Sequence, residues 1–312
     1  MKPNRKQEFH GLTTTKAPFI ENAQNEGQMF IHQPYELYSD DNQEAWKKLY
    51  ALLLPKWKRF ANAKFMEGIR CLCLKPDRIP TLEEVNVFLE PLTGFKARAV
   101  SGYVPTFLFF DSLKKREFPT TITIRDSKKL NYLPEPDIFH DIAGHVPMHT
   151  DKAFADVLVK FGSLAEVAAK RHAHLTNEEE KMSKIRSNIQ ALARFFWFTV
   201  EFGLMQEKGN ICVYGSGLLS SANEIEYSVT AKEVQRHLFQ LGWVINQSFE
   251  YDRFQPLLFI VQSFEHLYEE VERLEEWLLN GQLDNVSPGE PKVSENDLKV
   301  FLQQGNMGAS TP

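Results

Sequence analysis

The chain has 312 residues, 43% hydrophobic and 25% charged, with a formal net charge of -5. Those proportions belong to a globular protein with a sizeable core and exclude the disordered, collagen-like and coiled-coil classes. The negative balance offers no basic field for phosphate backbones or anionic lipid, so nucleic acid and membrane are not expected partners and a small molecule is.

Three cysteines, Cys71, Cys73 and Cys212, lack the spacing of a disulfide framework, which predicts free thiols in a reducing compartment. The N-terminus MKPNRKQEFHG has no apolar stretch after its charges, and no run of ~18 apolar residues occurs, so cytoplasmic residence is expected. Residues 1–33 mix Thr, Asn, Gln and Lys without an apolar period and read as a mobile lead-in. The fold is expected to begin near Pro34. From Ser39 to Ala61 an acidic cap precedes apolar residues at helical spacing, interrupted by Pro55, which predicts two helices or a kinked one. Thr81, with Glu84 three residues on, marks the start of another helix by a capping box.

Between Lys96 and Arg125 the segments KARAVSGYVPTFLFF and PTTITIR are β-branched and aromatic with Gly and Pro punctuation, predicting short strands or extended loops. From Asp137 to about Arg236 the chain reads as helical, broken by the Gly-rich GNICVYGSGLLSS, and a further amphipathic helix is expected from Ser263 to Leu279. The stripe Leu267, Val271, Leu274 and Leu278 suits core packing, being too short for a coiled-coil seam of ~3–4 heptads. From Asn280 the chain is polar and reads as a frayed tail. The expected fold is mainly α with a small β-rich segment, an α+β domain over 34–279 with a lead-in at 1–33 and a tail at 280–312. No long C-terminal heptad helix is present to build a tetramer, so a monomer is expected.

The richest local pattern places His140 and His145 five residues apart between proline-stiffened flanks. On an ideal helix, positions five apart lie ~140° round the axis, so the rings can converge only beyond a helix end or at a distorted turn, which Gly144 and Pro147 would permit. A zinc protease would need HExxH. Downstream, ALARFFWFTVEFGL is apolar nearly all round yet carries Glu201. A buried unpaired carboxylate is expensive, so Glu201 requires a partner. Two imidazoles and a carboxylate are the donor set of the facial triad, with positions left open for oxygen and co-reactants. Spacing alone leaves equally open that both histidines are satisfied core residues and that Glu201 pairs with an arginine such as Arg194. Asp137, three residues before His140, could orient a ligand or cap the turn.

At these residues the chain resembles the pterin-dependent aromatic amino acid hydroxylases, and most of all their single-domain bacterial branch, which hydroxylates phenylalanine. The resemblance rests on LTGFKARAVSG at 92–102, YLPEPDIFHDIAGHVP at 132–147, FWFTVEFGL at 196–204, VYGSGLLSS at 213–221 and FQPLLFIVQSF at 254–264. It implies that His140, His145 and Glu201 hold Fe(II). It further implies that Arg125 grips the substrate carboxylate, that Gly217 and Ser220 shape the amino-acid end, and that Trp197 lines the aromatic pocket. By the same resemblance the pterin lies near Gly102, Val104, Phe109 and Ala193, with Phe109 stacking on its ring. The chain departs from many members at Asp141, where they carry Glu, at Phe196, where they carry Tyr, and at Leu133, where the animal enzymes carry Thr. Asp141 and Phe196 thus bear on pterin contacts and Leu133 on the substrate pocket. The implied activity is a monooxygenase using tetrahydropterin and O2 on an aromatic amino acid. L-phenylalanine to L-tyrosine leads, with tryptophan 5-hydroxylation and phenylalanine 3-hydroxylation as near rivals. A zinc hydrolase on the same ligands and a non-enzymatic helical adaptor are the rivals from other classes.

Overall fold

The computed structural model describes residues 11–13, 17–130 and 136–307. The stretch before Pro34 is more structured than its composition suggests: helix α1 (Pro18–Asn25) buries Ile20 and Ala23, and Leu12 lies in the core. Two buried positions per two turns are too few to register as a period, but they suffice to seat the helix. Helix α2 (Asp40–Phe60) runs unbroken through Pro55. An internal proline costs about 3 kcal/mol, and the buried stripe Trp46, Leu49, Leu53, Trp57 offsets it, each such side chain contributing roughly 1.5–3 kcal/mol. Ser39 and Asn42 close the start of α2 by a reciprocal capping box.

Helices α3 (Ala63–Cys71) and α4 (Leu82–Thr93) follow, the latter opened by the Thr81–Glu84 box and closed by Gly94 at φ +76°. Strands β1 (Lys96–Val100) and β2 (Glu117–Thr121) form a two-stranded parallel sheet, with Lys96 opposite Glu117. The connection between them is helix α5 (Thr106–Lys114), so TFLFF is helical, against the expectation of extended chain. A parallel pair needs a crossover, and burial of Phe107 and Phe110 on one face of α5 overrides the strand preference of the aromatics.

Then come a π-helical turn (His140–His145), α6 (Val146–His149), α7 (Lys152–Arg171) and α8 (Glu178–Phe196), which passes into a second π-helical turn (Trp197–Glu201). Strands β3 (Leu204–Glu207) and β4 (Asn210–Val213), helices α9 (Ser216–Leu219) and α10 (Glu224–Thr230), strand β5 (Gln235–Leu238), helix α11 (Leu241–Val244), strand β6 (Leu257–Val261) and helices α12 (Phe264–Leu279) and α13 (Glu295–Met307) complete the order. Four of these strands form a second sheet, β4-β3-β6-β5, antiparallel at β3–β4 and parallel elsewhere. The reading of 96–125 as the β-rich region is corrected by this sheet. Its strands have four or five residues each and no alternation that sequence pattern could register. Lys208 and Gly209, both at positive φ, make the two-residue β3–β4 turn.

On α12, Leu267, Val271, Leu274 and Leu278 are fully buried, so the stripe is core and not a free seam. The reading of everything after Asn280 as frayed is likewise overturned. Helix α13 buries Asp297, Leu298 and Phe301 and packs on α5, α7 and α8. The architecture is mainly helical with two small sheets, an α+β fold. Among the described residues no helix is long and apolar enough to cross a membrane, and Cys71, Cys73 and Cys212 are free thiols.

Candidate metal centre and substrate pocket

In the π-turn at 140–145 backbone bonds run from residue i+5 to i, the Val146 N–H donating to the Asp141 carbonyl. The wider π-turn takes up most of the ~140° offset of an ideal helix and brings His145 round toward His140. The two Nε2 atoms stand 3.1 Å apart, with ring centroids at 4.7 Å and planes nearly perpendicular. The second π-turn, closed by the Phe202 N–H on the Trp197 carbonyl at 2.8 Å, turns Glu201 toward the same point. Its Oε1 lies 3.1 Å from His145 Nε2 and its Oε2 3.6 Å from His140 Nε2. Arg194, the alternative partner of Glu201, is engaged elsewhere. It donates to the carbonyls of Ser287, Glu290 and Ile245 at 2.7, 2.9 and 3.0 Å.

Glycines let these turns meet. A Cβ on Gly144 would stand 3.0 Å from the Ser216 carbonyl oxygen, and one on Gly217 would stand 2.8 Å from the Phe202 ring and 3.0 Å from the Glu201 carbonyl oxygen. Helix α9 can therefore lie directly on both π-turns. It brings Ser220 Oγ to 2.8 Å from His140 Nδ1. It also brings Ser216 Oγ to 2.9 Å from both His145 Nε2 and Glu201 Oε2. Ser216 was not singled out by sequence reasoning, although it sits between two glycines in the motif that supplied Gly217 and Ser220.

Burial pushes the His140 imidazole down to about 4, against the attraction of Glu201. The ring is therefore neutral near pH 7, with a lone pair to offer. Burial by itself would raise Glu201, but His145 and His140 overcome it and hold the carboxyl at about 2. Asp141 also lies within 4.8 Å of both histidine donor atoms. Its Oδ2, however, accepts the Thr121 N–H at 2.6 Å, and burial pushes its carboxyl up to about 7. Glu201 is the ionised acid closest to both rings. Two imidazole nitrogens and an anionic oxygen converging on one point fit a divalent transition ion.

Asp137 both caps and clamps. It accepts the His140 N–H at 2.9 Å, and Arg125 donates to it from Nε at 2.7 Å and Nη2 at 3.0 Å, with both side chains buried. Trp197 stacks on Phe249 at 4.0 Å and tilts against Phe202 at 4.5 Å. Phe109 meets Phe196 edge-on at 5.7 Å and Phe118 at 6.1 Å, and Phe118 in turn lies 5.0 Å from His145. Phe109 is thus one ring, that of Phe118, away from His145, and Phe196 packs against Phe109. Ala193 sits one turn before Trp197, its carbonyl accepting the Trp197 N–H. Gly102 and Val104 lie on the loop leading into α5, with Gly102 at φ +133°. Leu133 lies outside the described residues.

A chain of hydrogen bonds supports Trp197 from behind. Its Nε1 donates to Gln255 Oε1 at 3.2 Å, and the Gln255 N–H donates to Glu224 Oε1 at 2.8 Å. Glu224 is 1% exposed and burial pushes it up to about 7 from an ordinary 4.5. Between those values the unfolded chain has released the proton that the folded chain retains, so stability falls as pH rises through that window, by about 1.4 kcal/mol per unit. Glu224→Gln keeps the acceptor for Gln255 and removes the ionisation. In urea titrations the variant is expected to match the wild type near pH 4.5 and to exceed it by about 3 kcal/mol at pH 8. Equal stability at pH 8 would contradict this account of Glu224.

Two imidazoles and one carboxylate, set in an aromatic pocket on helix-turn scaffolding, are the donor set of mononuclear non-haem oxygenases. Residues 31–280 match the family model for biopterin-dependent aromatic amino acid hydroxylases. The chain is 33% identical to the phenylalanine-4-hydroxylase of Chromobacterium violaceum, covering 83% of this chain and 81% of that one. It is 36% identical to the phenylalanine-4-hydroxylase of Caulobacter vibrioides, covering 77% and 76%. The crystal structure of the C. violaceum phenylalanine hydroxylase with iron and phenylalanine bound superposes with a TM-score of 0.72 at 31% identity, covering 84% of this chain and 89% of that one. The chain belongs to the biopterin-dependent aromatic amino acid hydroxylase family and is a pterin-dependent monooxygenase of aromatic amino acids. Membership sets aside the zinc-hydrolase and adaptor readings.

Proposed function

We propose that the enzyme converts L-phenylalanine to L-tyrosine, with Fe(II) held by His140, His145 and Glu201. The observation that carries this reading is the convergence of the two Nε2 atoms and the Glu201 carboxylate within 3.6 Å. The phenylalanine-4-hydroxylases among its relatives support the choice of substrate. When bound, the ferrous ion and the tetrahydropterin activate O2, one oxygen atom entering the ring and the other leaving as water with two electrons from the pterin.

The chain's own residues hold and orient the reactants. Three protein donors leave the remaining coordination positions for oxygen and solvent. Ser220 fixes the His140 ring through Nδ1, so that Nε2 is the atom offered to the metal. Trp197, backed by Phe249, forms one wall for the substrate ring, and Arg125 takes the substrate carboxylate, its guanidinium oriented by Asp137. Gly217 and Ser220 shape the amino-acid end. Phe109 and Phe196 make an aromatic platform for the pterin, bounded by Gly102, Val104 and Ala193. Phe196 supplies no phenol there, and Asp141, shorter than Glu and bonded to Thr121, reaches the pterin through water. Excluding bulk water strengthens the electrostatics of the site and protects the oxidant.

The catalytic unit spans 34–279, a monomer acting on a small molecule in the cytoplasm. Its three free thiols and negative balance support that setting. The test is an equimolar mixture of phenylalanine, tyrosine and tryptophan given to the Fe(II)-loaded enzyme with tetrahydropterin and O2, with products resolved by mass spectrometry. Tyrosine is the expected product from ring-labelled phenylalanine. 5-Hydroxytryptophan or meta-tyrosine as the main product would move the enzyme to a neighbouring specificity on the same machinery.

A further inference from the structure

The family match ends at residue 280 and begins at 31, yet the segments beyond both limits meet on a single loop. From the N-terminal side, Gln24 of α1 donates through Nε2 to the Ser101 carbonyl at 2.5 Å. A Cβ at Gly102 would stand 2.5 Å from the same Nε2. Ser101 donates its N–H to the Met29 carbonyl at 3.1 Å and its hydroxyl to the Gln28 carbonyl at 2.5 Å. From the C-terminal side comes Asp297 of α13, which is 4% exposed. Its Oδ1 accepts the Thr106 N–H at 2.7 Å, and its Oδ2 accepts the Tyr103 hydroxyl at 3.1 Å and the Ser294 hydroxyl at 2.5 Å.

Thr106 is the first residue of α5, and the residue before it, Pro105, provides no side-chain cap. Asp297 therefore does for α5 what an N-cap residue of its own would do, from 191 residues away. A carboxylate at a helix N-terminus is favoured by the helix dipole and makes charge-assisted bonds stronger than neutral ones. The loop so held, 101–106, carries Gly102 and Val104 and feeds directly into the turn bearing Phe109.

We infer that Asp297 is a positioning residue for the pterin: through Thr106 and Tyr103 it keeps the 101–106 loop in its binding form, so that helix α13 sets pterin affinity. The inference rests on the reading of Gly102, Val104 and Phe109 as the pterin platform. When only a fraction of molecules has the loop in that form, the apparent dissociation constant rises by the reciprocal of the fraction. A loop released at one end and competent about a tenth of the time therefore binds about tenfold more weakly. The amino-acid pocket at Trp197 and Arg125 stands on other elements and is left as it was.

The experiment compares wild type with Asp297→Ala, Asp297→Asn and, as a control on the exposed face of α13, Lys299→Ala. Binding of the non-reacting 7,8-dihydropterin is measured by calorimetry on metal-loaded protein, amide hydrogen exchange is followed over 101–110, and steady-state constants are taken for both substrates. Asp297→Ala is expected to raise the pterin dissociation constant and the pterin KM about tenfold and to speed exchange at 101–106. The amino-acid KM and kcat should stay within about twofold. Asp297→Asn, which keeps an acceptor for Thr106, should recover part of the affinity, and Lys299→Ala should change nothing. Asp297→Asn carries the same comparison if the alanine variant does not fold. Unchanged pterin affinity, or a rise in both KM values together with a lowered melting temperature, would overturn the inference while wild-type pterin binding stands. A wild type that binds no pterin would overturn the functional reading itself, and this inference with it.

Discussion

Glu201→Gln is expected to lower kcat by about 10³-fold, equivalent to ~4 kcal/mol of barrier, and to cut bound iron to a small fraction of the wild-type content. The substitution keeps the shape of the side chain and its place beneath Ser216, so packing is not the variable. What it removes is the negative charge that faces the buried His145 ring at 3.1 Å and the partly buried His140 ring at 3.6 Å. A divalent ion at that point would then face three neutral donors, and the charge attraction that a carboxylate oxygen adds in a low-dielectric site would be lost. Metal analysis after gel filtration and turnover at saturating substrate give the two readouts. Retained iron with near-normal kcat would remove Glu201 from the metal site. Asp141, within 4.8 Å of the same histidines, would then become the acid to test.

Asp137→Asn is expected to destabilise the fold by about 3–5 kcal/mol, the usual consequence of removing one member of a buried ion pair. Asp137 sits at a junction. It takes bonds from Arg125 Nε and Nη2, from the Arg125 N–H at 3.1 Å, and from the His140 N–H. Burial by itself would raise its carboxyl, but Arg125 outweighs that and holds it below the ordinary range. The pair therefore contributes stability above the unfolded carboxyl value, and this contribution is lost as pH falls through the lowered one. Asparagine can still accept the His140 N–H, but it no longer supplies the counter-charge to a guanidinium 7% exposed. Because that guanidinium is the proposed grip on the substrate carboxylate, the amino-acid KM should rise as well, while the pterin KM holds. Denaturant titration and steady-state kinetics separate the two effects. A stability loss under about 1 kcal/mol would mean that the pair is screened as a surface pair would be.

These two variants divide the site into its chemical and its mechanical parts. Glu201 is the proposed anionic ligand of the metal, whereas Asp137 ties the start of the first π-turn to Arg125, the proposed grip on the substrate. One carboxylate thereby couples the orientation of His140 to that of Arg125, two residues with different tasks.

Much of this protein was legible in the sequence, and the legible parts share a cause. The Thr81–Glu84 box, the α2 stripe and the α12 stripe are local patterns, set by backbone donors and by helical spacing within a few residues. The histidine pair and the lone carboxylate in an apolar run were legible because buried polar groups need partners, so an acid in FFWFTVEFGL marks itself. The offset of ~140° limited convergence of the two rings to a point beyond a helix end or to a distorted turn, and the chain has a π-turn there.

Other features depend on neighbours that no local pattern encodes. That Glu201 meets His140 and His145, and that Arg194 does not meet Glu201, follows from the second π-turn and from the close approach of α9 permitted at Gly144 and Gly217. The helical state of TFLFF was settled by the crossover between two parallel strands, and the four-stranded sheet by pairing among strands too short to show a period. The flanks were misread for the same reason. Ile20, Ala23, Leu298 and Phe301 are too sparse to signal burial, and Asp297 reads as one more solvated acid until the fold brings Thr106 and Tyr103 to it. Sequence determines what each segment can satisfy within itself; which distant donor answers which acceptor is decided only when the chain is packed.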